Sequence, residues 1–423
     1  MIYNLVSVAI SHGTDAVQTL EDSLNKIGGI KQFFREKSTV FINPGLTLPL
    51  GPPVTTQPQL LGYILRLCQE AGAKEVYIGF NPFDGISSKQ VLKLLALDYY
   101  LDKFGGTLLN LENESYSSIQ IKNPYFFDTV YFPDKFLQSD IFISLVAPRT
   151  DLFGEYALGL RTYFDLMTDK QKQRIIQTGS LQGLLDFYKI KSPQLTIWDA
   201  MHVGEGQGPF NQQAVTYNLI LASTNLLAGD SIMSYLMGID PPQVEALRTA
   251  AEHQLEPIDP KEIIILGENL SSHCKTIKKP IISSKNLSKE IEIIEGKTCP
   301  GCQIGLRYML DFFLRFIEKD LKEFGGFTCF LGDLPPDLTH TLKNGVILFG
   351  NCALSSNYPI NFNNKTQKQK YFFRFPGCPP LNLRTIEQFC LDFKEWLPSL
   401  EIIEEFIRKW TIGRPFRSIQ ASS

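Results

Sequence analysis

Apolar positions change period along the chain, and each change marks an element. Ile2–Ile10 is a nearly continuous apolar run, read as a strand, and residues 16–27 follow as a helical stretch. Val40–Ile42 reads as a short strand, and the Gly/Pro run after it as a loop. Thr55 or Thr56 can cap the next helix, and Pro58 suits its first turn. Leu60, Leu61, Ile64, Leu65 and Cys68 then recur at helical spacing. Residues 71–74 stop that helix, and Val76–Phe80 forms the next strand. Strand, loop, helix, strand is a β-α-β unit, which predicts a parallel sheet.

Residues 88–104 read as a second helical stretch, and 115–133 as extended segments with turns. Asp140–Val146 is apolar and β-branched, the pattern of a buried strand. Helical patterns run from about 154 to 188. Leu195–Ala200 reads as a strand entering a glycine-rich loop, Leu219–Ala222 as a strand, and Ala228–Met237 as a helix ending at Gly238. Ile263–Leu266 closes this body as a strand. Lys275, Lys278, Lys279, Lys285 and Lys289 then lie among Ser, Ile and Pro. That run is either a solvated linker or a contact for an anion or partner. The organisation expected is an N-terminal α/β lobe (1–150), a second part of the α/β body (151–274), a Lys-rich linker (275–295) and a C-terminal cysteine-bearing module (296–423).

Composition narrows the class. A chain of 423 residues suggests two or three domains. Apolar residues at 43% and charged residues at 20% are ordinary globular values, and 12% aromatics argue against wholesale disorder. A net charge of −3 gives no bulk electrostatic case for nucleic acid or an anionic membrane. No apolar run approaches ~18 residues, so no spanning helix is expected. The opening MIYNLVSVAIS lacks the basic start of a signal peptide. A cytoplasmic location is expected, with the eight cysteines reduced.

Four cysteines stand in distinctive contexts. Cys299 and Cys302 form a C-P-G-C pair, Cys352 lies in G-N-C-A, and Cys378 in P-G-C-P-P. A C-x-x-C pair brings two soft ligands to one metal at a tight turn. A helix follows that pair, and its dipole favours the metal-binding thiolate. Gly and Pro beside Cys352 and Cys378 suit loops whose backbone N–H groups point at an anionic cluster. Four thiolates can hold zinc or an iron–sulfur cluster, and four reduced thiols without metal remain the plain alternative. Cys68 reads as core, and Cys274, Cys329 and Cys390 have no partner motif.

Other constellations are weaker. G-E-G-Q-G-P at Gly204–Pro209 lacks the full dinucleotide fingerprint, and no Walker A, H-E-x-x-H or G-x-S-x-G sequence is present. Asp199 and Glu205 stand where a predicted strand ends, the place where open α/β sheets bind ligands. They either face a ligand or metal, or serve as a turn cap and a solvated charge. Arg149 and Arg161 can grip a carboxylate or phosphate bidentately, or be surface charge. The five histidines are isolated, apart from His202 beside the Asp199–Glu205 segment and His273 beside Cys274.

In order, VFINPGL, TTQPQLLGYILRLCQEAGAKEVYIGFNPF, SDIFISLVAPRTD, IWDAMHVGEGQGP and LILASTNLLAGDSIMSYLMGID resemble domain-of-unknown-function family 362, some of whose members are iron–sulfur centre proteins. The C-terminal cysteine segments resemble the tail of some members. The resemblance implies an α/β fold similar to the nickel-pincer lactate racemase family, with mostly parallel sheets in two lobes flanking a cleft. The family's usual lysines and histidines are changed here: its Lys-Pro-Asn reads Asn43-Pro44-Gly45, its Thr-Thr-His-Pro ends Gln57-Pro58, its Lys-Thr-His reads Arg149-Thr150-Asp151, and its Lys-Asn reads Arg161-Thr162. The Asp-Ala…Glu-Gly-x-Gly-Pro segment and Asp230 remain. Proton transfer by His or Lys is thereby put in doubt, whereas an anion grip survives through arginine.

The leading expectation is one 4Fe-4S cluster on Cys299, Cys302, Cys352 and Cys378, preferred over zinc because of the resemblance. The cleft would be lined by Asp199, Glu205, Arg149, Arg161 and Asp230 and hold a small anionic ligand. A redox partner protein is expected; nucleic acid and membrane are not. Two alternatives stay open. One is a non-redox enzyme or binding protein for a carboxylate or phosphate, with structural zinc. The other is a scaffold that has lost ancestral chemistry. The substrate and the question of catalysis are left open by the residues.

Overall fold

The computed structural model describes residues 6–335, 342–356 and 371–411. Ile2–Leu5 of the first expected strand and His340 lie outside the described residues. In chain order the strands are β1 (Ser7–His12), β2 (Thr39–Asn43), β3 (Glu75–Gly79), β4 (Thr107–Leu109), β5 (Tyr116–Gln120), β6 (Thr129–Pro133), β7 (Ile141–Val146) and β8 (Arg149–Asp151). Then come β9 (Glu155–Ala157), β10 (Leu195–Gln207), β11 (Asn211–Ser223), β12 (Ile264–Gly267), β13 (Ile291–Glu295), β14 (Phe327–Leu331), β15 (Gly345–Phe349) and β16 (Phe372–Phe375).

The fold is α/β and rests on two large sheets. The first has the order β12-β1-β11-β10-β7-β2-β3-β4, with β8 and β9 joined at its side. Strands β4, β3, β2, β7 and β10 run parallel, and β11 runs against its neighbours β1 and β10. All six residues of β7 are buried, as a strand flanked on both edges and covered on both faces requires. This sheet continues across residue 150, which lies inside β8. The second sheet, β13-β14-β15-β16, is wholly parallel. Its main support is the Pro300–Phe324 helix, whose Phe313 stacks on Phe389 of the Leu383–Phe393 helix at 5.4 Å. β5 and β6 form a separate hairpin.

Several sequence expectations are corrected. The glycine-rich segment is not a loop. It is the end of β10, paired antiparallel with β11 from Gly204↔Ala214 to Gln207↔Asn211. Glycine is used there for close approach: a Cβ on Gly208 would stand 2.2 Å from the Thr150 carbonyl oxygen. The 154–188 stretch divides into β9, a 3-10 turn at Gly159–Leu166, and helices Asp169–Thr178 and Gly183–Ile190. The Pro58–Glu70 helix is not capped by Thr55 or Thr56; its N-cap is Gln57, whose backbone N–H donates to Asp199 Oδ2 at 2.7 Å. Thr56 Oγ1 instead donates to the Pro44 carbonyl at 2.6 Å. The last five residues of the expected linker, Ile291–Glu295, are β13.

Candidate functional site

The cysteines converge because of sheet topology. Cys299 and Cys302 follow β13, Cys352 follows β15, and Cys378 follows β16, so all leave the C-terminal edge of one parallel sheet. The loops are tied together: Asn351 N–H donates to the Gly377 carbonyl at 3.0 Å, and Gly377 N–H donates to Asn351 Oδ1 at 2.8 Å. Cys299 is the N-cap of the Pro300–Phe324 helix, with Pro300 in its first turn. The Cys302 thiol donates to Cys299, and the backbone N–H groups of Cys302 and Gly301 add to it, so Cys299 is held well below the usual thiol range. That bond to Cys299 pushes Cys302 up, as do burial and the negative charge of Cys299, Cys378 and Cys352. Cys352 is raised by partial desolvation and by the charges of Cys378, Cys299 and Asp333.

The four thiols therefore lie within electrostatic reach of one another. Around them the backbone leaves room. A Cβ on Gly350 would stand 2.8 Å from Cys302 Sγ, and Gly350 holds φ +93°, a left-handed conformation glycine tolerates. Gln177 Nε2 donates to Cys378 Sγ at 3.0 Å from the end of the Asp169–Thr178 helix. Among the described residues, no three Cys, His, Asp or Glu side chains are arranged to hold a metal ion.

A cavity of about 970 Å³ opens beside this centre. One wall comes from the C-terminal ends of β2, β3 and β7, through Gly45, Asn81 and Val146. Strand order turns between β2 and β7, the place where open parallel sheets bind ligands. The facing wall includes Gly301, Tyr308, Gly377 and Cys378. The cavity thus lies between the C-terminal ends of the parallel strands β2, β3 and β7 and those of the second sheet, and Cys378 belongs to it and to the cysteine group.

Arg149 and Arg161 both line this cavity. Arg149 is buried, donates to the Ala147 carbonyl (3.1 Å) and Thr47 Oγ1 (3.2 Å), and lies 4.0 Å from Asp151 Oδ2. Arg161 lies over the rings of Phe164 (4.0 Å) and Phe153 (5.0 Å). Arg149 Nε and Arg161 Nη1 are buried with no protein acceptor. Asp165 completes the group, with Asn43 Nδ2 3.5 Å from its Oδ2. Burial pushes the Asp165 carboxyl up to about 6, opposed by Lys172, Arg161, Asn43 and Arg149. Desolvation pushes Arg149 and Lys172 down. Asp151 accepts from the Tyr308 hydroxyl and from Phe153 N–H, which ties β8 to the cysteine-bearing helix.

Asp199, Glu205 and Asp230 are not among the residues lining the cavity. Asp199 accepts from Gln57 N–H (2.7 Å) and Met201 N–H (3.3 Å). Glu205 accepts from Lys278 N–H at 2.8 Å and pairs with its ammonium at 3.4 Å. Asp230 accepts from Gly159 N–H (2.6 Å), Leu160 N–H (2.9 Å) and Trp198 Nε1 (2.8 Å). Sequence reasoning missed Asp165, Lys172, Tyr308 and Gln177. Asp165 follows Arg161 by four residues in a 3-10 turn, whose period the helical pattern concealed.

A thylakoid-associated protein of Synechocystis sp. is 23% identical over 265 residues, covering 58% of this chain and 80% of that protein. The lactate racemase apoprotein from Thermoanaerobacterium thermosaccharolyticum is 10% identical, with a TM-score of 0.38, and the match covers 77% of this chain and 68% of that one. A protein from Thermotoga maritima gives 11%, a TM-score of 0.33, and coverage of 66% and 63%. Residues 40–235 match the family model of a domain of unknown function, DUF362. Arg149, Arg161, Asp199, Glu205 and Asp230 therefore lie within the matched segment, and the four cysteines lie outside it.

Proposed function

We propose that this chain is an iron–sulfur protein that would hold one cluster beside a cavity for a small anionic ligand. Cys299, Cys302, Cys352 and Cys378 would hold one 4Fe-4S group. The observation that carries the reading is Cys378, which belongs to the thiol group and to the cavity wall. The donor set fits the group. The thiols sense one another's charge, and Gly350 leaves space against Cys302 that any Cβ would fill. Zinc would draw four sulfurs to about 2.3 Å from one point.

Such a cluster supplies one-electron transfer when bound. The chain's own residues do the remaining work. Arg149 Nε and Arg161 Nη1 supply unused N–H donors for a carboxylate or phosphate. Phe153 and Phe164 hold the Arg161 guanidinium in place. Asp165, with its pKa of about 6, can hold or release a proton beside the anion near neutral pH. The positions changed from the family's usual lysines and histidine support a reshaped site rather than an abandoned one: Arg149, Asp151 and Arg161 line the cavity, and Asn43 reaches Asp165.

Anaerobic purification followed by absorption and metal analysis tests the reading. The expected result is brown protein with about four irons and four sulfides per chain. Cys352→Ser should abolish bound iron; full iron retention sinks the four-ligand assignment. Colourless protein with about one zinc would make the site structural. Folded protein with neither metal would leave a scaffold that has lost its chemistry.

A further inference from the structure

The lysine run between the two sheets carries a further inference. Residues 275–289 contain five lysines and no acidic residue. Residues 275–284 form no helix or strand, yet this stretch is not a loose linker. Gly206 N–H donates to the Lys278 carbonyl at 3.0 Å, and Lys278 N–H donates to Glu205 at 2.8 Å. Gln207 clamps Ile281 from both sides: Ile281 N–H donates to its Oε1 at 2.6 Å, and its Nε2 donates to the Ile281 carbonyl at 3.0 Å. Arg307 donates to the Ser283 carbonyl, and Ser284 Oγ donates to the Gln303 carbonyl at 3.3 Å. The strap is thus fixed against the first turns of the Pro300–Phe324 helix, whose N-cap is Cys299.

This fixed backbone turns apolar side chains outward. Ile281 is 65% exposed and Ile282 39% exposed. Lys278, Lys279 and Lys285 flank them and are exposed, as is Lys297, two residues before Cys299. Lys278 Nζ meets Glu205 but its side chain remains 73% exposed. Asp311, which accepts from Gln207, is already paired with Arg307 at 2.7 Å. Lys285 and Lys297 make no ion pair among the described residues. Exposed apolar anchors with exposed lysines before and after them in sequence, on a chain of net charge −3, form a basic segment of opposite sign to the whole. Cys352, an exposed cysteine of the centre, lies in the group this strap borders.

We propose that the 278–285 strap docks an acidic electron-carrier protein, which seats apolar side chains on Ile281 and Ile282 while its carboxylates meet Lys278, Lys279, Lys285 and Lys297. The inference rests on the iron–sulfur reading above, because a carrier needs a redox centre close behind its docking face. Charge of this kind sets encounter rate and orientation more than final affinity.

The probe is a reduced plant-type ferredoxin, a small acidic two-iron carrier, mixed with the holoprotein in a stopped-flow spectrometer. The second-order rate should fall about tenfold or more between low and near-physiological salt. The combined Lys278→Glu, Lys279→Glu and Lys285→Glu variant should lose about tenfold at low salt. Its iron content and its reduction by dithionite should be unchanged, and Lys261→Glu should behave as wild type. A salt-independent rate, or a variant as fast as wild type, overturns the docking surface. Protein without iron would instead fail the iron–sulfur reading. The strap is then judged by calorimetric binding of the same ferredoxin at low salt, and absent binding overturns it. Lysine-dependent binding to vesicles of phosphatidylserine, without ferredoxin binding, also overturns it.

Discussion

Asp230 shows how one carboxylate can read as a ligand and act as a latch. It sits in the Leu226–Leu236 helix, and its two oxygens collect Gly159 N–H, Leu160 N–H and Trp198 Nε1–H. Nothing in the spacing of Asp230 reveals those donors, because they come from a 3-10 turn some 70 residues earlier and a strand 32 residues earlier. Burial pushes its carboxyl up to about 7. The folded chain then keeps a proton that the unfolded chain, at an ordinary pKa near ~3.9, releases. Stability from this group is full below about pH 4 and is lost as pH rises through about 7. Asp230→Ala removes the acceptor for these donors and should cost at least about 1–3 kcal/mol at about pH 5. The deficit should shrink by about pH 8, because only the wild type loses stability over that interval. Urea midpoints at both pH values check this, and a deficit that grows with pH contradicts it. Gly350 is a second case. A methyl group would meet Cys302 Sγ at 2.8 Å in a left-handed backbone, so Gly350→Ala should cost about 1–3 kcal/mol and lower iron content together. Unchanged melting and iron would show that this loop does not constrain the centre.

At the scale of elements, what the sequence made legible was whatever its own period encodes. The apolar β7 run, the Pro58–Glu70 face and the Ala16–Lys26 helix appear close to their expected bounds. Chain ends of elements were less legible, because distant groups set them. Asp199 lies 142 residues from Gln57 yet satisfies the N-terminal N–H of the helix that Thr55 and Thr56 were expected to cap. Asp199→Ala should therefore loosen that helix start and cost about 1–3 kcal/mol, read as a lower urea midpoint and faster amide exchange in the first turn after Gln57. Loss of stability without faster exchange there would place the defect elsewhere. The glycines at 204–208 misled for a related reason. Glycine signals close approach as readily as a loop, and here the neighbours are β11 and β8: a Cβ on Gly204 would run into the Gln212 side chain and stand 2.9 Å from Arg149 Cβ. The same packing holds Arg149 at the cavity wall, so a segment read as a ligand loop contributes to the site by positioning an arginine.

The whole molecule brings the parallel part of a mixed sheet and a wholly parallel sheet together, so that loops from their C-terminal ends line one cavity. The cysteine motifs were visible in the sequence, and so were both arginines; their meeting was not, because it depends on strand order rather than on spacing. The same assembly brings Asp165 among Arg149, Arg161 and Lys172, and this yields a pH test of the anion site. With its carboxyl at about 6, Asp165 is largely ionised at about pH 8 and opposes an incoming anion. Below about pH 5 it is neutral, and the cations act unopposed by it. Affinity for a probe such as benzoate should therefore rise as pH falls through about 6, by about threefold to tenfold for one nearby charge removed. Asp165→Asn should bind at about pH 8 as the wild type binds at about pH 5, with little further dependence on pH. Arg161→Leu should weaken binding at every pH by removing an unused donor and its charge. Titration calorimetry on the three proteins separates these effects. A wild-type affinity that stays level from about pH 5 to about pH 8, or that falls on acidification, would remove Asp165 from the site, and undiminished binding by Arg161→Leu would remove the arginine grip.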